Sequence, residues 1–163
     1  METEFIQIVS AHAGLLYNVC KLYGRDEEDR KDLYQEIVLQ LWRAFPTYRR
    51  EAKLSTWMYR IALNTAISLF RRESRQPIRE TFSDELLNVP QFTVSPEIDE
   101  RMQQFYTAIE QLSSVEKALV FLYLDDNSYE EIAGIMGISP SNVGVKLSRT
   151  KGKLKKIVQL IND

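Results

Sequence analysis

Trp57, Arg60, Asn64, Ser68 and Arg71 recur three and four residues apart along the stretch "WMYRIALNTAISLFRR". At helical spacing they form one stripe, while Met58, Tyr59, Ala62, Ala66, Leu69 and Phe70 gather on the apolar side. An indole in line with an amide, a hydroxyl and two guanidinium groups has the chemistry to hold an unpaired nucleic-acid strand. Aromatic stacking contributes about 1–3 kcal/mol per base, and cations contact the phosphates. Tyr48, Arg49 and Arg50, in "TYRREAK" just upstream, extend the same chemistry, and Arg72 adds to its basic end. The competing reading is that Trp57 caps an apolar core and the arginines lay their stems along it.

A second face lies in "GISPSNVGVKLSR", residues 137–149. Ser139 and Pro140 open a helix, the serine by capping exposed amides and the proline by fitting the first helical position. Val143, Leu147, Thr150, Leu154 and Ile161 then make an inward stripe. Ser141, Asn142, Val145, Arg149, Lys153 and Lys156 lie on the other side, and Lys146 also avoids the stripe, so hydroxyl, amide and cationic groups share a surface with one valine. Upstream, "YEEIAGIMG" supplies a short helix and a glycine for a left-handed turn. A short helix, a glycine turn and a helix with a polar N-terminal face form a helix-turn-helix, whose second helix reads base edges in the major groove. Ser141, Asn142 and Arg149 are expected to read bases, and Lys153 and Lys156 to contact phosphate. A plain helical hairpin would give the same pattern without reading anything.

A third face is of another kind. In "DLYQEIVLQLWRAF" the residues Leu33, Ile37, Leu41 and Ala44 point one way, and Asp32, Gln35, Glu36, Leu39 and Trp42 the other. Leucine and tryptophan among carboxylates suit a protein docking patch rather than a DNA surface. The alternative is that this side is buried against the first helix.

The charge distribution agrees with two polyanion contacts. The net charge of −2 conceals nine basic and two acidic residues over 43–79 and six and one over 141–163, against two and twelve over 80–140. Local field rather than total charge steers binding to a polyanion. Cys20 and His12 are the only residues of their kinds. An internal disulfide and a thiolate-cluster metal site are therefore excluded, and both residues are expected to pack. No metal triad and no phosphate-cradling loop appears, so neither an enzyme nor a cofactor is expected. No apolar run approaches the roughly 20 residues of a membrane span. The acidic start "METEFIQIVS" is unlike a secretory signal, which points to a cytoplasmic protein.

The elements that carry these faces read as helices throughout. Apolar spacing predicts helices over 3–23, with Gly24 ending the first, over Asp26 to Phe45, stopped by Pro46, and over Ser55 to about Glu73, with Leu54 and Tyr59 as a hydrophobic staple. Residues 74–94 hold two prolines and no period, and read as a linker. A second group begins at Ser95-Pro96. Ser113 with Glu116, and Ser128 with Glu131, have capping-box spacing, and the last helix runs from Pro140 towards Leu160. The expected fold is all-α: two small helical modules, 1–75 and 95–163, joined by a flexible linker over 76–94, the second containing the helix-turn-helix.

Three stretches, "DLYQEIVLQLWRAF", "STWMYRIALNTAISLFRR" and "LSSVEKALVFLYLDDNSYEEIAGIMGISPSNVGVKLSRTKGKL", closely resemble the bacterial extracytoplasmic-function sigma factors, in the same order and spacing. The resemblance implies a promoter-specificity subunit. Its region 2 binds the clamp helices of the RNA polymerase β′ subunit and opens the −10 element; its region 4 reads the −35 element and meets the β flap. It implies core polymerase, promoter DNA and an anti-sigma factor as partners. By position, Asp32, Gln35, Glu36 and Trp42 match the family's polymerase-binding helix. Trp57, Tyr59, Arg60 and Asn64 match its −10 segment, with Arg71 and Arg72 as the basic end, and Ser139, Val143, Lys146, Leu147, Arg149 and Leu154 match its region 4 helix. Leu63 stands where the family often has a basic residue, Ser68 where it often has an aspartate, and Leu112-Ser113 where Leu-Pro is common. The rival from another class is a stand-alone regulator that dimerises and binds an operator without polymerase.

Overall fold

The computed structural model describes residues 1–70 and 100–162, with side chains described for 1–70 and 104–161. Arg71, Arg72 and the expected linker at 76–94 lie outside the described residues. Every regular element among those residues is helical, and the chain divides into two compact units, Met1–Gln91 and Phe92–Asp163.

In the first unit, α1 (Glu2–Ala11) and α2 (Ala13–Tyr23) replace the single helix expected over 3–23. The break falls at His12, whose backbone leaves the helical region at φ −112°, ψ 18°. Its amide is shared between the Ile8 and Val9 carbonyls, and its Nδ1 lies 2.9 Å from the Ile8 oxygen. Continuous periodicity cannot register such a break, because apolar spacing is kept on both sides of it. Gly24, after α2, is extended rather than left-handed (φ −78°, ψ 130°). Here glycine serves close approach: a Cβ would lie 2.5 Å from Arg30 Cγ and 2.8 Å from the Cys20 carbonyl.

α3 (Glu27–Ala44) opens where expected, with the Asp26 carboxylate accepting from the Asp29 amide at 2.8 Å. Glu27, Glu28 and Asp29 face the positive end of its dipole. It gives way to a 3₁₀ turn, Phe45–Thr47, around Pro46. α4 (Leu54–Phe70) begins one residue earlier than expected. The Lys53 carbonyl accepts its first amide bond, so Ser55 is not the cap, and Leu54 lies inside the helix rather than before it. α2, α3 and α4 pack pairwise around Leu16, Val19, Ile37, Leu41, Met58 and Leu63, each no more than 1% exposed. Ala62 and Ala66 are buried on α4, where their small side chains let helices approach closely. Cys20 is fully buried in this core, which pushes its thiol up to about 12 despite the nearby Arg30 charge. A thiol so held is a packing group and not a nucleophile.

The second unit holds α5 (Glu100–Glu110), α6 (Ser114–Leu124), α7 (Tyr129–Met136) and α8 (Pro140–Asn162). Both expected capping boxes form, Ser113 with Glu116 on α6 and Ser128 with Glu131 on α7. α8 packs against the other three helices through Val143, Leu147, Thr150 and Leu154, all buried. The expected stripe stops there: Ile161 is 37% exposed, because past Leu154 the described side chains of α8 are half-buried or exposed.

Gly137 joins α7 to α8 at φ +72°, and nothing lies within 4 Å of where a Cβ would sit. Gly137→Ala is therefore expected to cost the backbone strain alone, about 1–2 kcal/mol, and Gly137→Asn less. Chemical unfolding followed by circular dichroism checks this. A loss well above that range would mean that the turn meets a neighbour.

Candidate nucleic-acid and protein interfaces

On α4 the stripe opposite the core is presented as the spacing requires. Arg60, Asn64 and Ser68 are exposed, whereas Met58, Ala62, Leu63 and Ala66 are buried. Tyr59, expected among the −10 contacts, is 4% exposed and belongs to the core. It lies with Met58 and Leu63 on the inner arc of the helix, away from the exposed Arg60 and Asn64. Leu63 is 1% exposed, which explains an apolar residue where the resembling family often has a basic one.

Trp57 is half-buried, and its surroundings combine the two competing readings. Tyr48 lies against it, with ring centroids 4.8 Å apart and planes tilted by 36°, and Phe45 approaches at 6.4 Å. Phe45 in turn meets Phe5 of α1 at 5.4 Å, and Phe5 meets Trp42 of α3 at 5.0 Å. The ring series Trp42, Phe5, Phe45, Trp57, Tyr48 thus runs unbroken from α3 to the loop that precedes α4. Edge-on and tilted ring pairs of this kind each contribute about 0.5–1.5 kcal/mol beyond burial. The Tyr48 hydroxyl donates to the Ala52 carbonyl at 3.0 Å and closes the loop. Arg49 is exposed, and Arg50, at φ 60°, reaches Glu4 of α1 at 3.1 Å. The sequence gives no sign of this pair, because 46 residues separate its members and both side chains are mostly exposed. The bridging by Phe5 and Phe45 escaped notice for a similar reason: apolar spacing marks packing positions without saying that they join Trp42 of α3 to Trp57 of α4.

On α3, Asp32 and Gln35 are exposed and Glu36 and Trp42 half-buried, with Glu36 accepting from Gln40 at 3.0 Å. Leu39 departs from expectation. It is 1% exposed, so it is no part of an accessible docking patch. A wheel that assigns one buried stripe underestimates α3, which buries Leu33, Tyr34, Ile37, Val38, Leu39 and Leu41.

On α8, Ser141, Asn142, Val145, Arg149 and Lys156 are exposed and Lys146 half-buried. Ser139 has a structural task, its hydroxyl accepting from the Asn142 amide at 3.1 Å. Lys153, expected on phosphate, is 3.0 Å from Glu116 on α6. Burial alone would push the Glu116 carboxyl up, but the Ser113 amide, the Lys153 ammonium and the Ser113 hydroxyl together hold it below its ordinary value. No group of three or more His, Cys, Asp or Glu side chains among the described residues is placed to hold a metal ion. No helix among them is long and apolar enough to cross a membrane.

Comparison with known proteins gives these faces a context. Residues 8–76 match the model of sigma-70 region 2, and residues 102–154 that of sigma-70 region 4. The chain is similar to the ECF RNA polymerase sigma factor SigX of Bacillus subtilis, 25% identical over all of this chain and 88% of that one. It is similar to the ECF RNA polymerase sigma-E factor of Escherichia coli, 30% identical over 80% of this chain and 74% of that one. In fold it resembles the sigma factor RpoE solved with the anti-sigma factor NepR from Bartonella quintana, at TM-score 0.70 and 18% identity over 96% of this chain and 97% of that one. It likewise resembles CnrH solved with the cytosolic domain of CnrY, at TM-score 0.67 and 22% identity over 98% and 90%.

The Glu116 pair carries a pH signature. A carboxyl whose value is lowered by folding contributes stability above its unfolded value, about 4.3, and loses it as pH falls through the folded value. Glu116→Gln keeps an oxygen for the cap and loses the charge. The variant is expected to melt below the wild type at pH 7, with the gap closing as pH drops below about 4. A gap that stays constant down to pH 3 would show that the charge contributes nothing.

Proposed function

The chain belongs to the extracytoplasmic-function sigma factors, and from that premise we propose how its faces divide the work of transcription initiation. Residues 1–75 act as region 2, 76–94 as the tether and 95–163 as region 4. Asp32, Gln35, Glu36 and Trp42 dock on the clamp helices of core RNA polymerase. Arg60, Asn64 and the Tyr48–Trp57 pair, with Arg49, Arg50, Arg71 and Arg72, hold the opened −10 strand. Ser141, Asn142 and Arg149 read the −35 duplex, with Lys146 and Lys156 on phosphate. Lys153 joins them only by exchanging Glu116 for a phosphate oxygen, and Ser139 acts by fixing the start of α8. The protein supplies no catalytic group of its own and works in the cytoplasm, where polymerase and promoter are found.

The observation that carries this reading is the polar, exposed N-terminal face of α8, set behind a left-handed glycine turn on a buried stripe. That arrangement suits a helix laid in a major groove. Its complement is the α4 stripe. A base inside a duplex cannot be read on its Watson–Crick edge, and unstacking it costs a few kcal/mol. A surface that binds only the unstacked form shifts the equilibrium by its differential affinity. Trp57, backed by Tyr48 and Phe45, is a rigid wedge for that purpose, and the exposed Asn64 amide offers donors and an acceptor to a base edge. Because one relative in fold was solved with an anti-sigma factor, NepR, and another with the cytosolic domain of CnrY, we extend control by an anti-sigma factor to this chain.

Run-off transcription with core polymerase on a genomic fragment library tests the whole reading: discrete start sites are expected, and none would contradict it. Trp57→Ala and Asn64→Ala are expected to impair transcription from duplex promoters by about fivefold or more while retention on core polymerase stays unchanged, at roughly 1–3 kcal/mol per lost base contact. A pre-opened bubble should rescue Trp57→Ala and leave Asn64→Ala impaired. Wild-type rates from both on duplex DNA would return this face to packing.

The docking face has its own test, using exposed residues alone. Asp32→Lys with Gln35→Ala is expected to weaken retention on core polymerase by at least tenfold with an unchanged circular-dichroism spectrum. Unaltered retention would remove α3 from the interface.

A further inference from the structure

Val145 has no role in the packing or in the polar contacts described above. It is 48% exposed, while Val143 and Leu147 on either side of it are buried to 1% or less. A lone exposed aliphatic residue is ordinary on a protein surface; its setting makes this one informative. It lies one helical turn after Ser141 and one before Arg149, so it sits in the middle of the face whose flanks are a hydroxyl, an amide and a guanidinium, all exposed. Propensity does not explain it either, since a β-branched residue on an exposed helix position is worse than alanine by a few tenths of a kcal/mol. The preceding residue is the half-buried Gly144, where a Cβ would lie 3.4 Å from the edge of the Tyr129 ring.

We infer that Val145 is a specificity-determining residue that reads the 5-methyl group of a thymine in the upstream promoter element. The inference rests on the reading of α8 as the major-groove helix. In that groove each base pair shows a distinct edge, and the feature of thymine that no hydrogen bond can report is its C5 methyl group. Polar side chains on the same face recognise acceptors and donors; they do not distinguish thymine from the same base without its methyl. A branched aliphatic side chain held rigidly by the helix supplies the missing contact, and its two γ-methyls are stiff at χ1, so little entropy is lost on binding. Cytosine and guanine at that position would leave the apolar surface against polar edges.

The test uses holoenzyme and a promoter duplex recovered by its own selection, with each thymine of the upstream element replaced in turn by deoxyuridine. Removing one methyl from a buried contact is expected to weaken wild-type binding about fourfold at one position. Val145→Ala should lower affinity for the thymine duplex by a similar factor and be indifferent to deoxyuridine at that position. Val145→Thr, which keeps one γ-methyl, should fall between. Arg149→Ala, measured beside them, should lose selectivity elsewhere and keep the methyl response. A wild-type protein that keeps its selectivity yet senses no deoxyuridine overturns the inference alone. So does Val145→Ala with the wild-type deoxyuridine pattern intact, or a selected element containing no thymine. Loss of all sequence selectivity from the wild type would instead overturn the −35 reading, and this inference with it.

Discussion

Five of the described helices, α1, α2, α5, α6 and α7, are too short at 8–11 residues to stand alone, and that constraint organises everything else. The described helices run from 8 to 23 residues, and isolated helices shorter than about 12–15 residues are marginal in water even for favourable sequences. Each must bury an apolar face against its neighbours. Leu16, Ile37, Met58 and Leu63 do this in one unit, and Leu119, Leu122, Ile132 and Leu147 in the other. Once the inner faces are fixed, the outer faces are free to carry charge, and the stripes on α4 and α8 are such faces. The polar stripes therefore lie on the surface opposite the packing, with little overlap between the two.

The overlap that does exist is confined to the aromatic series in the first unit. Trp42 and Trp57 belong at once to surface and core, because Phe5 and Phe45 lie between them. Through Phe5 and the Glu4–Arg50 pair, α1 braces the loop that precedes α4. A mostly exposed ion pair adds little stability by itself, so the bracing rests on the buried Phe5 ring. The Trp42 side of α3 and the Trp57 side of α4 are in this way joined through the rings of Phe5 and Phe45.

Much of this was legible in the residues because the signals were local. Ser113 with Glu116, Ser128 with Glu131, Asp26 before α3 and Gly137 before α8 each act over three or four positions, and each sits where its chemistry puts it. The split at His12, the burial of Leu39 and Tyr59, and the bonds from Arg50 to Glu4 and from Lys153 to Glu116 were not legible. They depend on which helices meet, and a one-dimensional period carries no record of partners 37 or 46 residues away. For the same reason the wheel found Arg60, Asn64 and Ser68 of α4 and Ser141, Asn142, Val145, Arg149, Lys153 and Lys156 of α8 exposed but drew the buried arc of α3 too narrow.

The central claim is that two separate faces, one for duplex and one for opened strand, act only together with polymerase. Permanganate reactivity of promoter thymines tests it most directly, with this protein alone, core polymerase alone and the two combined. The account predicts unstacked thymines near the start site in the combined reaction and in neither of the others. Opening by the protein alone, or none in the combination, would contradict it.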